Sequence, residues 1–345
     1  MRRKQFLSSL STAGLLLATK PSSFAKEEKK HWKIPAFLKK GDTIGITAPA
    51  GHITLAGIEP ALKKLQEWGY KTVVGTTIGQ KDFTFGGTDA QRTADMQTML
   101  DDPNIKAILC ARGGYGSVRI IDQLEFTKFK NAPKWIIGFS DITVFINHLF
   151  EQHKCASIHS KMCNSFPDNW ETADDVQKLT IERINDCLSG KAISYTFPSN
   201  NNNNKIGNCK GRLIGGNLRT LENLAGSSSS PNTKGCILFL EDTGEYLYSI
   251  DRMLRNLSRA GKLKELKGLI IGGFKIKQDD EGESFGKTLE EIVLEITKEF
   301  DYPICFDFPV GHQKNNMPLI CGAMASLVVA KQEATLSMNI ITNND

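Results

Sequence analysis

The chain has 345 residues, 40% of them hydrophobic and 23% charged, so disorder, collagen and coiled coil are excluded as its main architecture. The formal net charge is +5, but Arg2, Arg3, Lys4 and Lys20 fall in the first 25 residues, which hold no acid, and the rest balances 39 bases against 38 acids. A nearly neutral body leaves no electrostatic argument for a nucleic-acid partner or a membrane surface.

The chain opens on the basic run Arg2-Arg3-Lys4, then an apolar stretch over 10–18, then the small-x-small site Ser23-Phe24-Ala25. This order predicts a secretory signal peptide over 1–25. The apolar stretch is far shorter than the ~20 residues that span a bilayer, and no later segment is long and apolar enough to do so. Arg3-Lys4-Gln5-Phe6-Leu7 also resembles a twin-arginine signal with Lys in the second basic place, so the expected destination is the periplasm.

Short unbroken apolar runs then alternate with helical spacing. Strands are predicted at 43–47, 72–74, 105–110 and 135–137, with helices at 55–68, 88–100 and from Ser140 to about Gln152. Thr88 and Gln91 form a capping-box pattern. Alternation of this kind predicts a doubly wound α/β domain with a buried parallel sheet over 33–170. A helix at 172–188 and the polar run Asn200 to Asn204 predict a connecting segment over 171–204. Strands at 235–240, 269–271 and 326–329, with helices at 249–259 and 289–300, predict a smaller mixed α+β domain over 205–338. None of the eight cysteines forms a CxxC pair, and several sit in apolar runs, so buried free thiols are expected. Without H-E-x-x-H or a His/Cys/Asp cluster, neither a metal site nor a cofactor is expected.

Three element ends could carry chemistry. Ser140 lies between an apolar strand and a helix, two residues after Gly138, where a sharp turn would hold a nucleophile clear of the backbone. The match to G-x-S-x-G is partial, because Ile142 stands where the second Gly would be, and the position also suits a helix N-cap. His312, on a loop after Pro309-Val310-Gly311, could serve as a general base. Glu241, at the end of a strand, lies where open α/β sheets place their sites, although the same position suits plain solvation. Gly113-Gly114-Tyr115-Gly116 fits neither G-x-G-x-x-G nor a P-loop, and is as readily a turn that donates N–H groups to an oxyanion.

Taken in order, these segments resemble the LD-carboxypeptidase family, serine peptidases that include muramoyltetrapeptide carboxypeptidases and microcin-immunity proteins. The resemblance rests on Gly41 to Gly51, Phe85-Gly86-Gly87-Thr88-Asp89 with Gln91-Arg92, and Ala111 to Gly116. It continues through Ile137 to Asp141, Gly215-Gly216-Asn217-Leu218, Leu240-Glu241-Asp242 with Gly244-Glu245, and Pro309 to His312, spanning about 33–338. It implies Ser140 as nucleophile, His312 as base, Glu241 as the orienting acid and the backbone N–H groups of Gly114 and Asp141 as oxyanion hole. It also implies a homodimer and a murein tetrapeptide substrate, cut between the L-centre of its diamino acid and the terminal D-Ala. Arg112, beside the Gly113-Gly114 turn, is the candidate for binding the terminal carboxylate, although a salt bridge steadying the turn is an equal use for it. The chain departs from the family at His159-Ser160-Lys161-Met162, where His-Gly-Pro-Met is common. The alternatives are a microcin-immunity-like hydrolase of peptidyl or aminoacyl nucleotides, disfavoured because all four Trp precede residue 171, and a catalytically silent binder of wall peptides.

Overall fold

The computed structural model describes residues 32–339, and the expected signal peptide lies outside them. Strands β1 (Thr43–Thr47), β2 (Lys71–Val74), β3 (Ile105–Cys110), β4 (Trp135–Gly138) and β5 (Ser157–His159) form a parallel sheet in the order β5-β4-β3-β1-β2. Helices connect its strands, which is what parallel pairing requires. Ile44, Ile46, Ile108, Trp135 and Ile136 are fully buried, which accounts for the unbroken apolar runs. Each such side chain contributes about 1.5–3 kcal/mol by leaving water.

The chain then builds a second sheet. Strands β6 (Ile193–Pro198), β7 (Gly207–Asn217), β8 (Cys236–Glu245), β9 (Gly268–Ile276) and β10 (Ile304–Cys305) precede β11 (Leu319–Cys321), β12 (Met324–Val329) and β13 (Glu333–Asn339). Seven of these eight form the order β10-β9-β8-β7-β12-β13-β6, with β7 to β10 parallel and the other pairings antiparallel. β11 is the exception. It leaves this sheet and joins the first one antiparallel to β5, with Leu319 opposite His159. The architecture is thus α/β with two sheets, the first parallel apart from that one returning strand. All eight cysteines are free, and every one except Cys209 is buried.

The sheets are pinned together at one corner. Gly216 has φ +137° and a Cβ there would lie 2.5 Å from Thr143 Oγ1, so only glycine lets β7 approach the helix Thr143–His148 this closely. The neighbouring Asn217 N–H donates to Thr143 Oγ1 at 3.1 Å, and Asn147 Nδ2 donates to the Gly215 carbonyl at 3.2 Å. That helix begins directly after the turn at Ser140, and β8 runs beside β7. The corner therefore sets the middle of β8, where Glu241 pairs with Asn217, beside the carboxyl end of β4.

Candidate active site

Ser140 follows β4 after one residue, with φ +60°, a left-handed conformation that costs a non-glycine residue of order 1–3 kcal/mol. A short 3-10 turn, Ser140–Ile142, leads into the helix Thr143–His148. Gly138 makes the tight turn possible, since a Cβ there would meet Ile142 Cγ1 at 2.9 Å. Position 142 has φ −68° and does not require glycine, which explains why the elbow pattern is incomplete. The Asp141 carboxylate accepts from the Ser117 N–H at 2.8 Å, tying the turn to the 113–117 segment; burial raises its pKa above the usual carboxylate range. Gly113 packs against the serine, where a Cβ would lie 3.1 Å from Ser140 Cβ.

The other two residues come from the second half of the chain. Glu241 is fully buried in the middle of β8 and not at its end as expected, because the strand continues through Asp242 and Thr243 to Glu245 beside β9. Its Oε2 accepts from His312 Nδ1 at 2.6 Å and from the His312 N–H at 3.2 Å. His312 Nε2 lies 3.2 Å from Ser140 Oγ. Gly311 has φ +106°, and a Cβ there would lie 2.5 Å from Glu241 Cβ. Its N–H donates to Asn316 Oδ1 at 2.8 Å, and the Gly273 N–H donates to the Val310 carbonyl at 2.8 Å. Ser140, His312 and Glu241, separated by up to 172 residues, are thus joined in one hydrogen-bonded line. Such a line can take a proton from a hydroxyl and stabilise the resulting imidazolium.

One cavity opens on Ser140, and a second lies beyond Lys161 without touching any of the three residues. The first, of about 280 Å³, is lined by Gly114, Ser140, Asp141, Asn217, Arg219 and Glu245 among others. Arg219 Nε and Glu245 Oε1 pair there at 2.5 Å, and the Asp242 carboxylate accepts from Asn217 Nδ2 and the Arg219 N–H, both at 2.9 Å. The other, of about 240 Å³, is lined by Lys161, Ser165, Gln177, Thr180, Ile181 and Lys314. Lys161 Nζ donates to the Gln313 carbonyl at 2.6 Å, and burial, followed by the charge of Lys275, pulls its ammonium below the ordinary lysine range. Arg112 is exposed, and its Nη1 donates to the His52 carbonyl at 2.9 Å.

Of the residues expected from the sequence, Ser140, Glu241 and His312 come together, and Gly114 and Asp141 line the cavity beside Ser140. Arg92 escaped individual notice. It is fully buried, and its Nη1 donates to the carbonyls of Pro49 at 2.6 Å and Gly116 at 2.9 Å. An arginine near the start of a polar helix looks solvent-facing, and only the glycine-rich segments on either side hinted at backbone carbonyls needing a donor. Among the described residues, no group of three or more His, Cys, Asp or Glu could hold a metal ion, and no helix is long and apolar enough to cross a membrane.

Comparison with known proteins matches both halves. Residues 44–160 fit the family model for the LD-carboxypeptidase N-terminal domain, and residues 210–327 fit that for the LD-carboxypeptidase C-terminal domain. A Bacillus subtilis protein named "probable murein peptide carboxypeptidase" is 29% identical over 311 residues, covering 89% of this chain and 95% of the relative. The murein tetrapeptide carboxypeptidase of Pseudomonas aeruginosa is 28% identical over 289 residues, covering 82% of this chain and 92% of the relative. The crystal structure of muramoyltetrapeptide carboxypeptidase from Oxalobacter formigenes superposes with a TM-score of 0.77 at 27% identity, over 87% of this chain and all of that one.

Proposed function

The chain belongs to the LD-carboxypeptidase family, and on that footing we propose that it is a serine peptidase that releases the terminal D-Ala of murein tetrapeptides. The observation that carries the reading is the line Ser140 Oγ–His312 Nε2–Glu241 Oε2, at 3.2 and 2.6 Å. Ser140 Oγ attacks the carbonyl carbon of the diamino acid's L-centre while His312 Nε2 takes its proton. Glu241 accepts the Nδ1–H, fixing the tautomer and stabilising the charged ring. The Gly114 and Asp141 N–H groups receive the oxyanion. Collapse of the tetrahedral intermediate breaks the C–N bond, and His312 passes the proton to the departing amine of D-Ala. Water, deprotonated by the same imidazole, then frees the tripeptide and restores Ser140. Each step uses side chains and backbone N–H groups alone, so treatment with a chelator should leave turnover intact. Export through the segment over 1–25 would bring the enzyme to wall peptides in the periplasm.

Incubation of the purified protein with disaccharide tetrapeptide, with D-Ala followed by mass spectrometry, tests this reading. Release of D-Ala is expected, and Ser140→Ala should lower it by on the order of 10³-fold or more with the fold intact. Glu241→Gln should cost less, because it spares the nucleophile. Turnover of Ser140→Ala close to that of the wild type would exclude the serine mechanism.

A further inference from the structure

The direction in which a bound tetrapeptide runs is set by His312. The group that protonates a departing amine must lie beside it, so the leaving D-residue occupies the imidazole side of Ser140. The cavity of about 280 Å³ meets Ser140 at Gly114, Asp141 and Asn217, and His312 does not line it. It therefore suits the acyl part, the diamino acid. On the imidazole side the cation is Lys161. Its Nζ is bonded to the carbonyl of Gln313, the residue next to His312, and lies 5.6 Å from the centroid of the Phe139 ring. That ring is 4.9 Å from the His312 imidazole. Lys161 also lines the second cavity, which neither Ser140 nor His312 lines, together with Lys314 and no carboxylate; Lys314 itself pairs with Asp174 at 3.1 Å.

Resting on the carboxypeptidase reading, we infer that Lys161 is the specificity residue that binds the free α-carboxylate of the departing D-residue. The part-buried Lys161 ammonium donates to one neutral carbonyl and is favoured by the charge of Glu241, whose Oε2 is already engaged by His312, and a carboxylate entering the same space needs a cation. Each group supplies what the other lacks. Arg112, the other cation considered for this task, already donates to the His52 carbonyl and packs beside Gly51, where a Cβ would sit 3.5 Å from its Nε. Lys161 could instead simply tether the His312 loop, and the two roles predict different kinetics. A tether acts on every substrate, whereas a carboxylate site acts only on those with a free acid.

The test compares kcat/KM for a tetrapeptide and its C-terminal amide, in the wild type and in Lys161→Met, Lys161→Arg and Arg112→Gln. For the wild type an acid-to-amide ratio of about 10 to 100 is expected, the worth of one charge-assisted contact. In Lys161→Met the ratio should fall to within about threefold of one, and Lys161→Arg should keep most of the preference. Should Met at this part-buried position unfold the chain, Lys161→Gln provides the same comparison. A Lys161→Met variant that loses equally on both substrates, with the ratio preserved, overturns the inference in favour of a tether. A ratio that collapses in Arg112→Gln but survives in Lys161→Met overturns it in favour of Arg112. Failure of the wild type to release D-Ala from the tetrapeptide would instead defeat the carboxypeptidase reading itself, and the inference with it.

Discussion

Gly113 and Ser140 show how little room the site leaves. A methyl on Gly113 would stand 3.1 Å from Ser140 Cβ and 3.3 Å from both its Oγ and Met162 Cε. Gly113→Ala should therefore turn the hydroxyl away from His312 rather than unfold the protein. A drop in kcat/KM of about 10- to 100-fold is expected, with the melting temperature little changed, measured by steady-state kinetics and circular dichroism on the same preparation. The serine itself was legible as a residue at a strand-to-helix turn. Its φ of +60° was not, because the sequence sign of a strained elbow is glycine on both sides, and here Gly138 alone makes the close approach. His312 could be read as a loop residue after a strand, but Glu241 lies inside a strand longer than its apolar run, and their 2.6 Å contact depends on Gly311, where a Cβ would lie 2.5 Å from Glu241 Cβ.

Arg92 decides the behaviour of a whole layer of loops. From the helix Asp89–Asp101 its guanidinium reaches the carbonyls of Pro49, Gly87 and Gly116, and it pairs with Asp89, which in turn holds Arg119 at 2.7 Å. Three segments near the Gly113-Gly114 turn are joined by one buried cation. Arg92→Met should cost on the order of 1–3 kcal/mol for each buried carbonyl left without a donor, while Asp89 keeps Arg119, and a thermal melt should show it as a large fall in Tm. Arg92→Lys should recover only part of the loss, because a single ammonium cannot span the fork. Elements with local signals were readable: the helix at 88–100 carries its predicted box, Thr88 Oγ1 accepting from the Gln91 N–H at 3.2 Å. The long strand Gly207–Asn217 was hidden, because four glycines in eleven residues argue against a strand. The sheet demands them. A Cβ at Gly215 would fall 1.8 Å from the Phe239 carbonyl oxygen, and one at Gly211 would fall 2.7 Å from that of Gly235.

At the scale of the molecule, acid should loosen the fold through its buried histidines. His159 is fully buried between Phe139 and Phe239, and burial first, then the charges of His312 and Lys161, push its pKa down to about 3 from 6.5. Between these values the unfolded chain takes up a proton that the folded chain refuses. The His159 contribution is therefore intact above about pH 6.5 and is lost progressively as pH falls toward 3. His148, also lowered by burial, acts in the same direction. Tm measured from pH 7 to pH 4 should decline, and His159→Phe should flatten part of that slope; identical slopes would assign the loss to other groups.

His312 stands late in the chain, just before β11 returns to the first sheet, and this separates it in time of synthesis from Ser140. Ser140 and its turn belong to the first half of the chain, but His312 precedes by seven residues the strand that closes against β5, and Glu241 waits on β8 between them. A nascent chain that stops short of His312 carries the serine without the imidazole. The hydrogen-bonded line of Ser140, His312 and Glu241 is therefore complete only when most of the chain has been made.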